Sequence, residues 1–309
     1  DFSFTKGATS PDVYGVSDTV VTLWTLGLLD EYLQDSAREE WISTLQSFQN
    51  PTTGWYTDRA RRTLHFKPHT TAFAIAALNL LDGRPLYPLK FAEKLRTQKK
   101  LEHWLSRWWM WAPRIEWIGS HVGSGVAASI FMTDTTMPAE WWDWFFGWLN
   151  THVDPNTGFW KHGLLHGTKQ FNFYDLGAAF HYYFFYVRQG RLLPYPEKIV
   201  DASLVLQQPN HLWFHDVPYC PDLDAIYAMV RASEQVGGYR RADIEMAVRN
   251  YLDFVVPKIN DRAYVFKTYP HTHTMTGLVA TLAEVQRFLP EVLRSPKPLS
   301  QILDVALYI

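Results

Sequence analysis

An all-α fold is predicted, an (α/α)6 toroid or barrel in which six helical hairpins form an inner and an outer ring. Three observations predict it: a repeat of small and apolar runs, amphipathic segments alternating with them, and connections that are short on one side and long on the other. The runs are Ser17–Leu29, His69–Leu81, Ser120–Thr133, Tyr174–Gln189, Asp222–Val236 and Thr272–Phe288. Their starts recur at roughly 50-residue intervals, a spacing typical of helical repeat architectures. Alanine and glycine crowd them (Ala72, Ala74, Ala76, Ala77; Gly123, Gly125, Ala127, Ala128; Gly177, Ala178, Ala179). Small side chains let helices pack on several sides, so these six are expected to form the inner ring.

The outer ring is expected from Arg38–Gln49, Leu89–Arg107, Ala139–Val153, Glu197–Gln207, Arg241–Val256 and Pro298–Leu307, whose charged faces suit solvent. Pro88, Pro138 and Pro196 fall where helix starts accept proline. Inner-to-outer links are short turns such as Asp82–Pro85, Asp134–Met137 and Gly237–Gly238. The outer-to-inner links are long: Asn50–Pro68, Trp108–Gly119, Asp154–Phe173, Gln208–Pro221 and Pro257–His271. All long links then lie on the face where inner helices begin, and long loops on a rigid scaffold are where function concentrates.

The 309 residues read as a single domain over 1–309 with ample core: 47% are hydrophobic and 19% charged. A net charge of −2 argues against nucleic acid as partner, which needs a basic footprint. No apolar run is long enough for a membrane span. The lone Cys220 excludes an internal disulfide.

Several links repeat a turn followed by aromatics: Gln49-Asn50-Pro51-Thr52-Thr53-Gly54-Trp55, Asp154-Pro155-Asn156-Thr157-Gly158-Phe159-Trp160, and Gln207-Gln208-Pro209-Asn210-His211-Leu212-Trp213. This pattern resembles the glutamine–tryptophan repeats of terpenoid cyclases, whose toroids run near this period. Protein prenyltransferase β-subunits are similar in architecture. The stretch Thr157–Gly163 also resembles the turns of unsaturated glucuronyl hydrolases, carbohydrate enzymes on α/α barrels. The resemblance implies the fold and leaves the reaction open. The Asp-x-Asp-Asp acid motif of proton-initiated cyclases is missing; its nearest match is Asp222-Leu223-Asp224-Ala225. The Asp-x3-Asp-type motifs of ionisation-initiated cyclases are not evident. Cys220, Asp222 and His273 (or His271) imitate the prenyltransferase zinc set with Asp and Cys in reversed order. They are the expected ligands if zinc binds, although no cofactor is predicted. A two-cysteine lanthionine-cyclase zinc site and a Cys–Gln thioester are both excluded.

Nine of twelve histidines lie in the long links or at inner-helix starts: His65, His69, His121, His162, His166, His211, His215, His271 and His273. Imidazole transfers protons near neutral pH. The spacings His65/His69, His162/His166 and His211/His215 fall in loops, where His-x3-His loses the one-face geometry of a helix. Asp18, Asp175, Asp222 and Asp224 cluster at inner-helix starts. Capping competes with catalysis at Asp18 and Asp222. Asp224 lies too far inside a helix to be its cap, and beside Asp222 it forms a like-charge pair suited to a general acid. The expected catalytic set is therefore Asp18, His69, His121, Tyr174, Asp175, Asp222 and Asp224, converging on one pocket. Trp55, Tyr56, Trp111, Arg114, Trp160, His162, Trp213, His215, His271 and His273 form the expected substrate-binding set. Staple packing of the link aromatics competes with that role. Arg59, Arg61, Arg62 and Lys67 join Arg114 as candidates for holding a carboxylate.

The resulting expectation is a glycan-processing enzyme, a lyase, hydrolase or epimerase acting on a small-molecule or oligosaccharide substrate, with uronates in its range. The alternative is a terpenoid cyclase or prenyl-transfer enzyme, and the third class is a non-catalytic toroid that binds a partner through its rim.

Overall fold

Asp12 opens the first helix: its carboxylate accepts from Gly15 N at 2.7 Å, an N-cap five residues ahead of the expected start. The computed structural model describes residues 5–7, 9–57, 66–133, 136–160 and 171–309. Among these the chain is all-helical, with fourteen α-helices, no strand, and three isolated β-bridges. The first seven are α1 (Val13–Thr25), α2 (Leu29–Tyr32), α3 (Asp35–Ser47), α4 (Lys67–Leu80), α5 (Lys90–Glu93), α6 (Gln98–Leu105) and α7 (Glu116–Met132). There follow α8 (Trp141–His152), α9 (Phe173–Arg188), α10 (Pro196–Val205), α11 (Cys220–Gln235), α12 (Arg241–Ile259), α13 (Arg262–Thr268) and α14 (Thr272–Phe288).

The six small-residue runs became α1, α4, α7, α9, α11 and α14. They are the most buried elements because alanine and glycine let neighbours approach on several sides: Ala72, Ala74, Ala76 and Ala77 are all fully buried. At Gly277 on α14, a Cβ would meet Cys220 N at 2.6 Å, so only glycine lets α14 lie against the start of α11. Contacts run from α1 to α4, α4 to α7, α7 to α9, α9 to α11, α11 to α14, and from α14 back to α1. The more polar helices flank them: α3 packs on α1 and α4, α10 and α12 on α11, and α6 on α8.

Three expectations about elements need correction. The Leu89–Arg107 segment is two helices, α5 and α6, and in the break between them the Leu95 carbonyl accepts the Trp141 indole N–H at 2.9 Å. The Pro257–His271 link contains α13, capped by Asp261, whose carboxylate accepts from Ala263 N at 2.9 Å. The Pro298–Leu307 segment is no outer helix. Its backbone is held from outside, Leu299 N by the Gln286 side chain at 2.7 Å and Ser300 N by Thr25 O at 2.9 Å. Only a 3-10 turn at Ile302–Asp304 remains, and Ile302, Leu303, Ala306, Leu307, Tyr308 and Ile309 are buried. Tyr308 lies among α4, α7 and α9: its ring meets His69 at 5.0 Å and His181 at 6.2 Å, and its hydroxyl lies 3.1 Å from Ser124 Oγ.

Candidate active site

The starts of five of the six buried helices surround a cavity of about 370 Å³. Residues Phe66 and His69 reach it from the start of α4, and Trp117 and His121 from α7. Tyr174 and His181 line it from α9, Asp224 and Cys220 from α11, and His271 and His273 from the start of α14; Ile309 completes the wall. The size falls within the usual range of small-molecule pockets.

Behind His273 is Asp18, one turn inside α1 and almost fully buried. Its carboxylate accepts from Thr272 Oγ1 at 2.6 Å and lies 2.9 Å from His273 Nδ1. A carboxylate oxygen accepts, so in this contact Nδ1–H is the donor and Nε2 is the ring nitrogen turned away from Asp18. Tyr14, one helical turn before Asp18 on the same face, places its hydroxyl 2.7 Å from His69 Nδ1. Burial holds the Tyr14 phenol protonated by pushing its pKa well up.

His69, His121 and His181 run edge to edge, with ring centroids 4.7 Å apart at each step. Ser120 Oγ lies 3.0 Å from His181 Nδ1. Burial lowers the His181 pKa to about 3, partly opposed by a backbone hydrogen bond, so this ring is neutral at physiological pH.

The two aspartates of α11 do different work. Asp222 accepts from Trp213 N at 3.0 Å and Tyr219 N at 3.1 Å, anchoring the preceding link to the helix start. Burial pushes its pKa up to about 7, against the pull of those two amides. Asp224 lines the cavity, and its Oδ2 is buried with no hydrogen-bond partner among the described residues. Burial first, and the nearby Asp222 second, push its pKa well above the carboxylate range. That shift favours the protonated carboxyl, the form a general acid requires.

The expected convergence is thus partial. His69, His121, Tyr174, Asp224, His271 and His273 line the cavity and Asp18 backs it, whereas Asp175 and Asp222 are spent on the backbone. The Asp175 carboxylate accepts from Asn172 N at 2.9 Å in a capping box. The link aromatics are largely core. Tyr56, Trp160 and Trp213 are buried, with the indole N–H groups of the two tryptophans donating to Leu149 O and Ser203 O at 2.8 Å. Trp55 stacks on Phe91 at 3.8 Å beside a different groove. Trp111 stacks on Tyr182 and donates to Leu105 O. His215 packs on Phe214, and Arg114 is exposed at a left-handed backbone position outside the cavity lining. His65, His162, His166, Arg59, Arg61 and Arg62 lie outside the described residues.

Cys220 and His273 share the cavity, but both Asp222 oxygens are held by backbone amides, and burial keeps the Cys220 thiol protonated. Among the described residues, no group of three or more His, Cys, Asp or Glu is placed to hold a metal. Sequence reasoning missed Tyr14, Trp117, His181 and Tyr308. Helical spacing carried a signal for two of them, since Tyr14 precedes Asp18 by four residues and Trp117 precedes His121 by four. Comparison of the chain with known protein families, curated proteins and solved structures found no match.

Proposed function

We propose that the chain is a toroid of six inner helices, with segment 298–309 in place of a sixth outer helix, whose mouth performs general acid–base chemistry on a carbohydrate of one or two rings, by elimination or epimerisation beside a uronate carboxyl group. The cyclic order of neighbours among the six buried helices supports the toroid. One observation carries the chemistry: a carboxyl with a buried, unpartnered oxygen, Asp224, and a histidine oriented by a buried carboxylate, His273 with Asp18, line the same cavity.

Hydrolysis by paired carboxylates has less support. That chemistry needs a second carboxylate facing the substrate, and Asp175, Asp222 and Asp18 are all engaged elsewhere. In the proposed step His273 Nε2 takes the proton from the carbon next to the carboxyl group. The C–H electron pair moves onto the carboxyl oxygen as an enolate. For elimination, that pair returns to form the carbon–carbon double bond and expels the β-oxygen, which takes the proton back from the imidazolium. The test is to incubate the protein with uronate oligosaccharides in D2O and follow them by NMR. Solvent deuterium at the α carbon, or a vinylic signal, is expected, and both should vanish in Asp224→Asn. Substrates recovered unchanged across a panel of uronates would overturn this reading.

A second reading, a proton-initiated terpenoid cyclase, is favoured by the placement of the Asp224 carboxyl near the Trp117 and Phe180 rings. The imidazoles in the same cavity count against it, because an unprotonated ring nitrogen quenches a carbocation. Cyclised hydrocarbon from a linear polyprenyl substrate would establish it instead.

A further inference from the structure

We infer that Trp117 Nε1 and Asp224 Oδ2, which face Gly177 from two helices, form a two-donor clasp for a single substrate oxygen. The inference deepens the acid–base reading above and rests on it for the identity of the substrate.

Both atoms are buried, and neither has a hydrogen-bond partner among the described residues. An indole N–H can only donate, and burying it unpartnered costs about 1–3 kcal/mol. A neutral carboxyl likewise has one O–H to give. A Cβ built on Gly177 would stand 3.1 Å from each atom. The two atoms are thus no further apart than those two contacts laid end to end, a separation that one oxygen spans with two ordinary hydrogen bonds. Both residues line the cavity that holds His273. Two donors converging from a dry wall are what a developing enolate oxygen needs, and a protonated aspartic acid paired with a second donor is an established way to supply it. A methyl group at position 177 would press on both donors at once.

The clasp can be tested without the natural substrate, using para-substituted phenols, whose oxygen carries partial or full negative charge. Affinity for wild type should rise with the basicity of the phenolate, and the Trp117 indole N–H resonance should move progressively downfield. Trp117→Phe keeps an aromatic ring and removes the indole N–H, so phenolate affinity should fall about tenfold or more, the loss of one hydrogen bond to a charged oxygen. Gly177→Ala should weaken binding at least as much; if it fails to fold, the Trp117→Phe result decides. Unchanged phenol affinity in Trp117→Phe, or an indole resonance indifferent to the para substituent, would overturn the clasp. Trp117-dependent phenolate binding without turnover of any uronate would support the clasp and overturn the carbohydrate reading.

Discussion

Asp222 and Asp224 are two positions apart on one helix, yet the structure gives their substitutions opposite consequences. Asp222→Asn keeps one acceptor oxygen but turns an amide N–H2 toward a backbone N–H that had been satisfied. The expected outcome is a stability loss of about 1–3 kcal/mol in urea denaturation, with activity following the folded fraction. Asp224→Asn removes no hydrogen bond among the described residues, so it should fold normally and lose turnover. The pH dependence makes this sharper. Because burial raises the pKa of Asp224 in the folded state, folding favours its protonated form. That stability is present below the unfolded pKa near 4 and lost as pH climbs toward the folded value. Asp224→Asn lacks this loss, so its stability relative to wild type should rise by up to about 1.4 kcal/mol per pH unit above pH 4. Equal pH profiles for the two proteins would mean that Asp224 is not held neutral. His181 runs the other way: with its pKa lowered to about 3, its contribution is complete above the unfolded value near 6.5 and is lost as pH falls toward 3.

At the scale of elements, the repeated turns after α3, α8 and α10 are staples. Gly54, Gly158 and His211 occupy corresponding places and share a left-handed backbone, with φ of 79°, 76° and 69°. The residues two places later, Tyr56, Trp160 and Trp213, are all buried. Gln49 ties the first turn to the segment before α5: its Nε2 donates to Gly54 O and Tyr87 O, and its Oε1 accepts from Leu86 N and Tyr87 N. At Gly54 a Cβ would meet Pro88 O at 2.3 Å, so Gly54→Ala should cost more than the ~1 kcal/mol of a left-handed alanine alone. His211→Gly should instead stabilise by about 1 kcal/mol, read as a rise in melting temperature; a fall would mean that the imidazole itself holds the turn. These turns were legible in the sequence because a turn and an aromatic at a fixed offset repeat locally, with glycine at the left-handed position in two of the three. The ambiguity between staple and substrate contact was settled by burial, which depends on distant partners. The helix runs were legible for the same local reason, and α1 was misplaced because Asp12 outcompetes the Ser17–Asp18 signal as cap. Asp224, His69 and His121 could be singled out from their places at helix starts. The Trp117–Gly177–Asp224 arrangement could not, since it joins three helices.

At the scale of the molecule, the last residues of the chain join the interior. Arg231 on α11 donates to Glu284 Oε1 on α14 at 2.9 Å and to Asp304 at 3.1 Å, while Arg287 donates to the same Glu284 oxygen at 2.8 Å. Arg231→Ala leaves the buried Glu284 with one cation and removes the link to Asp304, so a loss of about 3–5 kcal/mol is expected. Beyond that anchor, Tyr308 is fully buried and packs on His69, His181 and Phe184. Segment 302–309 thus fills space among α4, α7 and α9 that an empty ring of helices would leave hollow, and Ile309 forms part of the cavity wall. Tyr308→Phe forfeits the hydroxyl's contacts to Ser124 Oγ and to the His121 carbonyl, a loss of about 1–2 kcal/mol. Tyr308→Ala leaves a cavity bordered by three of the six buried helices, a loss of about 3–5 kcal/mol. Because those helices share neighbours around the cycle, the loss should reach the whole molecule. Helical circular dichroism and tryptophan fluorescence should report one common transition, displaced to lower urea with an unchanged slope. If fluorescence alone shifted while the helical signal kept its midpoint, residues 302–309 would be a detachable strap laid over a ring that is stable without them.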